Sequence, residues 1–200
     1  MRILIYGINY APELTGIGKY TGEMASFLAA AGNDVEVITA PPYYPHWQVA
    51  KGYRGGWRKE RLRGVTVLRC PLYVPRKVSG AKRILHEASF VLSSLRYWLP
   101  RYFRRYDLIL CVSPPFHLGF LALPHRWLRR TPVINHIQDL QVDAARDLGM
   151  IRNEKLLGLL ERMERWLLRR VSEVSTISTG MQRKLAAKSI ELEEPRLFPN

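Results

Sequence analysis

Two short stretches hold the groups best suited to chemistry. In "NHIQDLQVD" (135–143), His136, Gln138, Asp139 and Asp143 follow the apolar run "PVINHI" (132–137). That run reads as a strand, so His136 stands near its carboxyl end, where open α/β sheets bind their ligands. A histidine there can hydrogen-bond a substrate, and it can equally be a buried structural residue. The second stretch is "PELTGIGKYTGEM" (12–24), in which Gly16-Ile17-Gly18-Lys19 opens an amphipathic helical pattern. Glycines at a helix start leave backbone N–H groups open to an anion, and the helix dipole adds positive potential. The plainer alternative is a tight loop-to-helix turn, with Lys19 solvated.

A dinucleotide fingerprint does not fit. It would place Gly-x-Gly-x-x-Gly directly after the first strand and close the second strand with a carboxylate. Here Ile8–Thr15 intervene before Gly16, Gly22 falls one residue late, and the second strand runs out in Thr39-Ala40-Pro41-Pro42. Other chemistries are also poorly served. Asp139 and Asp143 are close in sequence, but nothing marks them as the convergent acid pair a glycoside hydrolase needs. His117, His125 and His136 lack metal-ligand spacing. Cys70 and Cys111 each lie in an apolar strand-like run, which argues against a disulfide.

The elements that would position these groups alternate along the chain. "RILIYG" (2–7), "DVEVITA" (34–40), "VTVLRC" (65–70), "DLILCV" (107–112), "PVINHI" (132–137) and "EVSTIS" (173–178) read as strands. Ile17, Tyr20, Met24, Phe27, Leu28 and Ala31 recur at helical spacing, and Gly32 supplies the stop. Further helices are predicted over 79–99, 116–129, 153–170 and 179–188. The alternation predicts an α/β, doubly wound, mostly parallel sheet flanked by helices, a Rossmann-like fold. The loop "PPYYPHWQVAKGYRGGW" (41–57) is long, aromatic and rich in Gly and Pro, as functional loops often are.

The formal net charge is +14 and 47% of residues are hydrophobic, so the chain reads as a globular protein with an anionic partner. Its basic part is "RKVSGAKRILHEASFVLSSLRYWLPRYFRR" (76–105). Ile84, Leu85, Ala88, Val91, Leu92 and Leu95 fall on one helical face. Lys82, Arg83, Arg96, Trp98, Arg101, Arg104 and Arg105 are read as facing an anionic membrane, where basic and interfacial aromatic side chains suit the headgroup region. A core-facing helix with a solvated basic side is the alternative. "HRWLRR" (125–130) is a second basic cluster, read as extending the same surface, and "ERMERWLLRR" (161–170) reads as an ordinary surface helix. Nucleic acid is not the expected partner, since no helix-turn-helix, finger or ribonucleoprotein signature is present. No run approaches the ~18 apolar residues of a membrane span, and no signal peptide is read at the start. A cytoplasmic protein, peripheral on the inner face of the plasma membrane, is expected.

The segment "NYAPELTGIGKYTGEMASFLAAAGNDVEVIT" resembles the opening of family 4 glycosyltransferases, whose GT-B fold pairs two Rossmann-like domains. Asn33-Asp34 stands where Gly-His is usual in that family. The likeness continues through "APPYYPHWQV", "RCPLYVP", "HIQDLQVDAA", "STIS" and the terminal "RLFPN", and covers essentially the whole chain. It is nearest to the branch that assembles colanic-acid-type exopolysaccharides. The resemblance implies that residues 1–200 form the acceptor-side, amino-terminal domain, with the nucleotide-sugar-binding domain lying outside this chain. It implies transfer, with retention, from a nucleoside-diphosphate-sugar to a polyprenyl-diphosphate-linked saccharide at the membrane, with no metal or other cofactor. His136 and Asp139 are the implied catalytic pair, contacting the donor sugar and lining the acceptor pocket. Gly16, Ile17, Gly18, Lys19 and Glu13 are implied around the donor diphosphate or the acceptor hydroxyls. A non-catalytic membrane-docking or scaffold domain stays open as a second reading, and a basic nucleic-acid-binding domain, less favoured, as a third.

Overall fold

The computed structural model describes residues 1–147, 149, 151, 153–188 and 195–200. It divides into two compact units, Met1–Ile109 and Leu110–Asn200. The first unit holds β1 (Arg2–Tyr6), α1 (Gly16–Ala30), β2 (Asp34–Thr39), β3 (Arg58–Leu62), β4 (Val65–Arg69) and α2 (Gly80–Arg101). Its strands lie in the order β3-β4-β2-β1. β1 pairs with β2 and β2 with β4 in parallel, while β3 runs antiparallel to β4. The strand β5 (Leu108–Ser113) leads into the second unit, which continues with one 3-10 turn (Phe116–Leu118), α3 (Gly119–Arg129) and β6 (Val133–Ile137). There follow α4 (Gln141–Asp147), α5 (Glu154–Leu168), β7 (Glu173–Thr176), α6 (Thr179–Ala187) and β8 (Arg196–Leu197). These strands lie in the order β5-β6-β7-β8, and β6/β7 and β7/β8 are parallel. The mostly parallel α/β architecture expected from the alternation is the one observed.

The apolar runs become strands for the expected reason: they are covered on both faces. Ile3, Leu4, Ile5 and Tyr6 of β1 are all buried, as are Ile109–Val112 of β5. Cys70 and Cys111 are free and buried among them.

Two elements differ from expectation. "RKERL" forms β3, although it shows no apolar alternation. It is an edge strand whose charges face water, and it is held by a two-residue turn at Arg63 and Gly64, both at positive φ (47° and 81°). Arginine at the first position hides this turn from a search for Asn-Gly or Asp-Gly. The helix α4, seven residues starting right after Leu140, is too short to show a period.

In the first unit, α2 is fixed at both ends of its buried face. Tyr6 of β1 stacks on Phe90, meets Trp98 edge-on, and shares a 2.7 Å hydrogen bond with Ser94 Oγ. At its C-terminal end, Arg101 donates to Glu36 of β2 at 3.0 Å, Tyr106 donates its hydroxyl to the same oxygen at 2.5 Å, and Arg104 reaches the other oxygen at 3.3 Å.

Candidate functional site

In the first unit the loop after β1 and the long loop after β2 meet around one carboxylate. Glu13 is only 6% exposed. Its Oε1 accepts from the backbone N–H groups of Tyr43 and Tyr44, both at 3.0 Å, and Oε2 accepts from Asn9 Nδ2 at 3.0 Å. Burial raises the Glu13 pKa, and the two amides and Asn9 pull it back down. Above this floor lies a cavity of about 510 Å³ whose walls include Pro12, Leu14, Thr15, Tyr43, Tyr44 and Pro45, with His46, Lys51 and Arg54 also lining it. Apolar and aromatic walls over a buried carboxylate suit a polyhydroxylated ligand with one hydrogen-bonding anchor.

The glycines at the start of α1 serve this arrangement in different ways. Gly16 has φ +59° and permits the turn into the helix. Thr15, the N-cap, makes no side-chain capping bond, so the first amides of α1 stay open beside the cavity that Thr15 lines. Gly18 is buried because Glu13 lies on it. A Cβ there would stand 2.3 Å from Glu13 Oε2 and 2.8 Å from Glu13 Cβ. Gly18→Ala should therefore destabilise the protein by about 1–3 kcal/mol through overpacking. Gly158→Ala, whose Cβ meets nothing within 4 Å on α5, should stabilise it by about 0.5–1 kcal/mol. Equal shifts of the urea midpoint for the two variants would break this account. Ile17 is half-buried beside them, whereas Lys19 is exposed, 3.8 Å from Glu23 and over the Tyr20 ring. Lys19 thus sits on the solvated side of α1.

Arg69, at the end of β4, is the residue that sequence reading passed over. It is 1% exposed and binds the carbonyls of Ala11 (2.5 Å) and Ala40 (3.0 Å) and the carboxylate of Glu60 (2.8 Å). It thereby ties the Glu13 loop to the ends of β2 and β4. An arginine inside the apolar run "VTVLRC" was the available signal, since a charge enters such a strand only with partners. His86 was hidden as well. It is buried on α2, with Nδ1 2.6 Å from the Tyr73 carbonyl oxygen, and its ring packs on Tyr43 and Trp47 of the long loop.

In the second unit His136 lies within β6, 1% exposed, with Nδ1 2.9 Å from Oγ of Ser175, its register partner on β7. The ring of Phe198 stands edge-on to it at 5.5 Å. Burial lowers its pKa to about 4, so the ring is neutral at pH 7. In this arrangement His136 has no open surface. The residues beyond the strand end are Gln138, whose N–H binds the Ser113 carbonyl at 2.9 Å, and Asp139, which is exposed. The two expected partners therefore differ in access: Asp139 is exposed, and His136 is buried within the strand. Glu13 and the glycine loop belong to the first unit and His136 and Asp139 to the second. Asp143 ion-pairs with Lys188. Among the described residues no group of three His, Cys, Asp or Glu could hold a metal ion.

A glycosyl transferase 4-like domain model matches residues 15–200. The chain belongs to that family. It is 46% identical, over its whole length, to the putative colanic acid biosynthesis glycosyl transferase WcaI of Escherichia coli (strain K12), of which it covers 50%. It also superposes on sucrose-phosphate synthase from Thermosynechococcus elongatus with a TM-score of 0.66 at 16% identity, covering 99% of this chain and 47% of that one. Anabaena HepE, solved in complex with UDP-glucose, gives 0.58 at 14% identity, covering 100% and 44%. Those two likenesses are of fold. The chain spans about half the length of the relatives it matches.

In this glycosyltransferase domain the basic helix α2 corrects part of the expected membrane face. Trp98 is fully buried against Tyr6, and Arg101 is 6% exposed and bound to Glu36, so neither faces outward. Arg83 turns to Glu87 at 3.1 Å, and Arg104 shares Glu36. Arg105 is exposed at a shallow hollow with Met1, Arg2 and Asp34. Lys82 and Arg96 are exposed on α2, and Arg96 covers the Trp57 ring at 5.1 Å. The unexpected feature is that α2 mixes polar residues into its buried face. Beside Phe90 and Trp98 it buries His86, Glu87, Ser94 and Arg101, and it exposes Ile84 (55%), Leu85 (55%), Leu92 (67%) and Leu99 (58%). Leu85, Leu92 and Leu99 fall one heptad apart and form one stripe, which Phe103 continues. Among the described residues no helix is long and apolar enough to cross a membrane.

Proposed function

We propose that this chain is the acceptor-side, amino-terminal domain of a retaining glycosyltransferase. The complete enzyme moves a sugar from a nucleoside-diphosphate donor onto a polyprenyl-diphosphate-linked saccharide at an anionic membrane during exopolysaccharide assembly. A second, donor-binding domain completes it. The observation that carries the lipid part is the outward leucine stripe of α2 with Lys82 and Arg96 on the same helix. A patch of that kind on a soluble domain marks an interaction surface, and basic flanks favour an anionic one. The same helix packs through His86 on Tyr43 and Trp47, and Tyr43 lines the Glu13 cavity. A lipid-borne sugar delivered along α2 would meet that cavity first. WcaI's role in colanic acid biosynthesis and the UDP-glucose bound to HepE support the sugar-nucleotide chemistry.

In this reading the chain's own residues bind and orient. In the first unit Glu13 fixes the loop that shapes the acceptor cavity, and the N-terminus of α1 favours an anionic group; in the second, Asp139 offers an exposed carboxylate after β6. His136 holds that strand end through Ser175. No side chain serves as a nucleophile, and the rate comes from positioning and from stabilising the departing diphosphate.

The test is nucleotide release by the complete gene product from UDP-, GDP- and ADP-sugars, with membrane lipid extract as acceptor source. Lipid-dependent release from one donor is expected. Release that ignores lipid would remove the lipid-linked acceptor, and no release from any donor by folded protein would leave a docking domain.

A further inference from the structure

A second apolar face lies on the other unit, where the sequence suggested an ordinary surface helix. On α5, Leu156, Leu159, Met163 and Trp166 repeat at i, i+3, i+7 and i+10 and are all exposed, Leu159 to 52%. The inner side of the same helix buries Glu164, Leu167 and Leu168, so the stripe is surplus to the core. Trp166 stacks on Phe120 of α3 at 5.7 Å and meets Trp127 edge-on at 6.5 Å, joining the two helices into one aromatic surface. At the end of α3, Trp127 (57% exposed) and Leu128 (71%) protrude together. Arg130 then stops the helix in the left-handed conformation, φ +56°, leaving that pair at a tip.

Among the described residues, Arg129 and Arg130 follow the tip directly, Arg162 on α5 and Arg169 just after it are exposed, and the Arg170 guanidinium lies 3.9 Å from the Trp166 ring centre. Of the acids of α5, Glu161 pairs with Arg146 and Glu164 with Lys188, and Glu154 stands exposed at the opposite end of the helix from Trp166. A second copy of so basic a face would be repelled, whereas tryptophan and leucine ringed by arginine match the boundary between headgroups and acyl chains. We infer that the Trp127–Leu128 tip and the α5 stripe form a second membrane-insertion face, which engages anionic lipid through the second unit independently of α2. For its purpose, though not for its geometry, this rests on the lipid-linked acceptor proposed above.

The experiment is co-sedimentation of the full chain with phosphatidylcholine vesicles containing about 30 mol% phosphatidylglycerol, since each basic residue near an anionic surface adds about 1 kcal/mol. W127S/L128S is compared with L92S/L99S on α2. All four side chains are exposed, so far-ultraviolet circular dichroism should match wild type. W127S/L128S should lower the partition coefficient at least about tenfold, R129Q/R130Q should weaken binding only to the anionic vesicles, and brominated lipid should quench Trp127. Undiminished binding by W127S/L128S would overturn the inference, with any loss in L92S/L99S leaving α2 as the sole anchor. A wild-type dimer that W127S/L128S dissociates without changing vesicle binding would also overturn it, and so would loss of a protein partner with lipid binding intact. Lipid binding through this face without nucleotide release would retain the inference while the transferase reading fails. The reverse pattern would retain only the latter.

Discussion

Glu36→Ala should cost the protein about 3–5 kcal/mol of stability, the range for breaking a buried ion pair from one side. Three groups converge on this carboxylate: Arg101, Arg104 and the Tyr106 hydroxyl. Arg104 is exposed and can turn to water. Arg101 and Tyr106 are 6% and 5% exposed and cannot, so the variant removes the carboxylate facing a buried guanidinium and a buried hydroxyl where water cannot replace it. The urea midpoint should fall with the slope unchanged. Replacing both partners, E36L/R101M, should recover much of the loss, because a buried pair can often be exchanged for apolar volume at little cost. A midpoint for Glu36→Ala within about 0.5 kcal/mol of wild type would show that α2 is held by its aromatic packing alone.

Acidification should weaken the protein by about 3 kcal/mol through His136. Its pKa is lowered by burial to about 4, against 6.5 for a free histidine. Between those values the unfolded chain binds a proton that the folded chain refuses, so stability rises with pH across that window. The contribution is complete above pH 6.5, is lost as the pH falls toward 4, and changes no further below it. His117, whose pKa burial also lowers to about 4, steepens the same slope. Urea midpoints measured from pH 7 to pH 4 should show the decline, and His136→Asn should flatten part of it. An unchanged slope in that variant would mean that His136 takes up its proton as readily in the fold as in the unfolded chain. The same neutrality suits the proposed reaction, since the ring holds the end of β6 through Ser175 without placing a positive charge among the strands.

The strands were legible because they are nearly all apolar and buried, and α1 because its face is periodic and Gly32 ends it. The glycine loop was legible as the opening of α1, although the reason for Gly18 was not. No spacing rule says that a side chain five residues earlier will lie on a helix backbone. His136 illustrates the opposite difficulty. Its place near a strand end was readable, but strand residues alternate between faces and pack against a neighbour unknown until the register His136↔Ser175 exists. α2 misled for a third reason. Its apolar face was correctly located and its buried residues were not, because His86, Ser94 and Arg101 enter the interior with partners from outside the helix, Tyr73, Tyr6 and Glu36, and Glu87 with Arg83 one turn earlier on α2. A hydrophobicity pattern records how apolar each side is and carries no account of such partners.

The contact between Gly18 and Glu13 has a consequence for how this family can diverge. The space a β-carbon would need at position 18 is already filled by the side chain at position 13, and that side chain also organises Tyr43 and Tyr44. Residue 18 can grow only where residue 13 shrinks, and a smaller residue 13 releases the loop that walls the cavity. Positions 13 and 18 should therefore change as a pair among relatives, and where they do, the shape of the cavity should change with them.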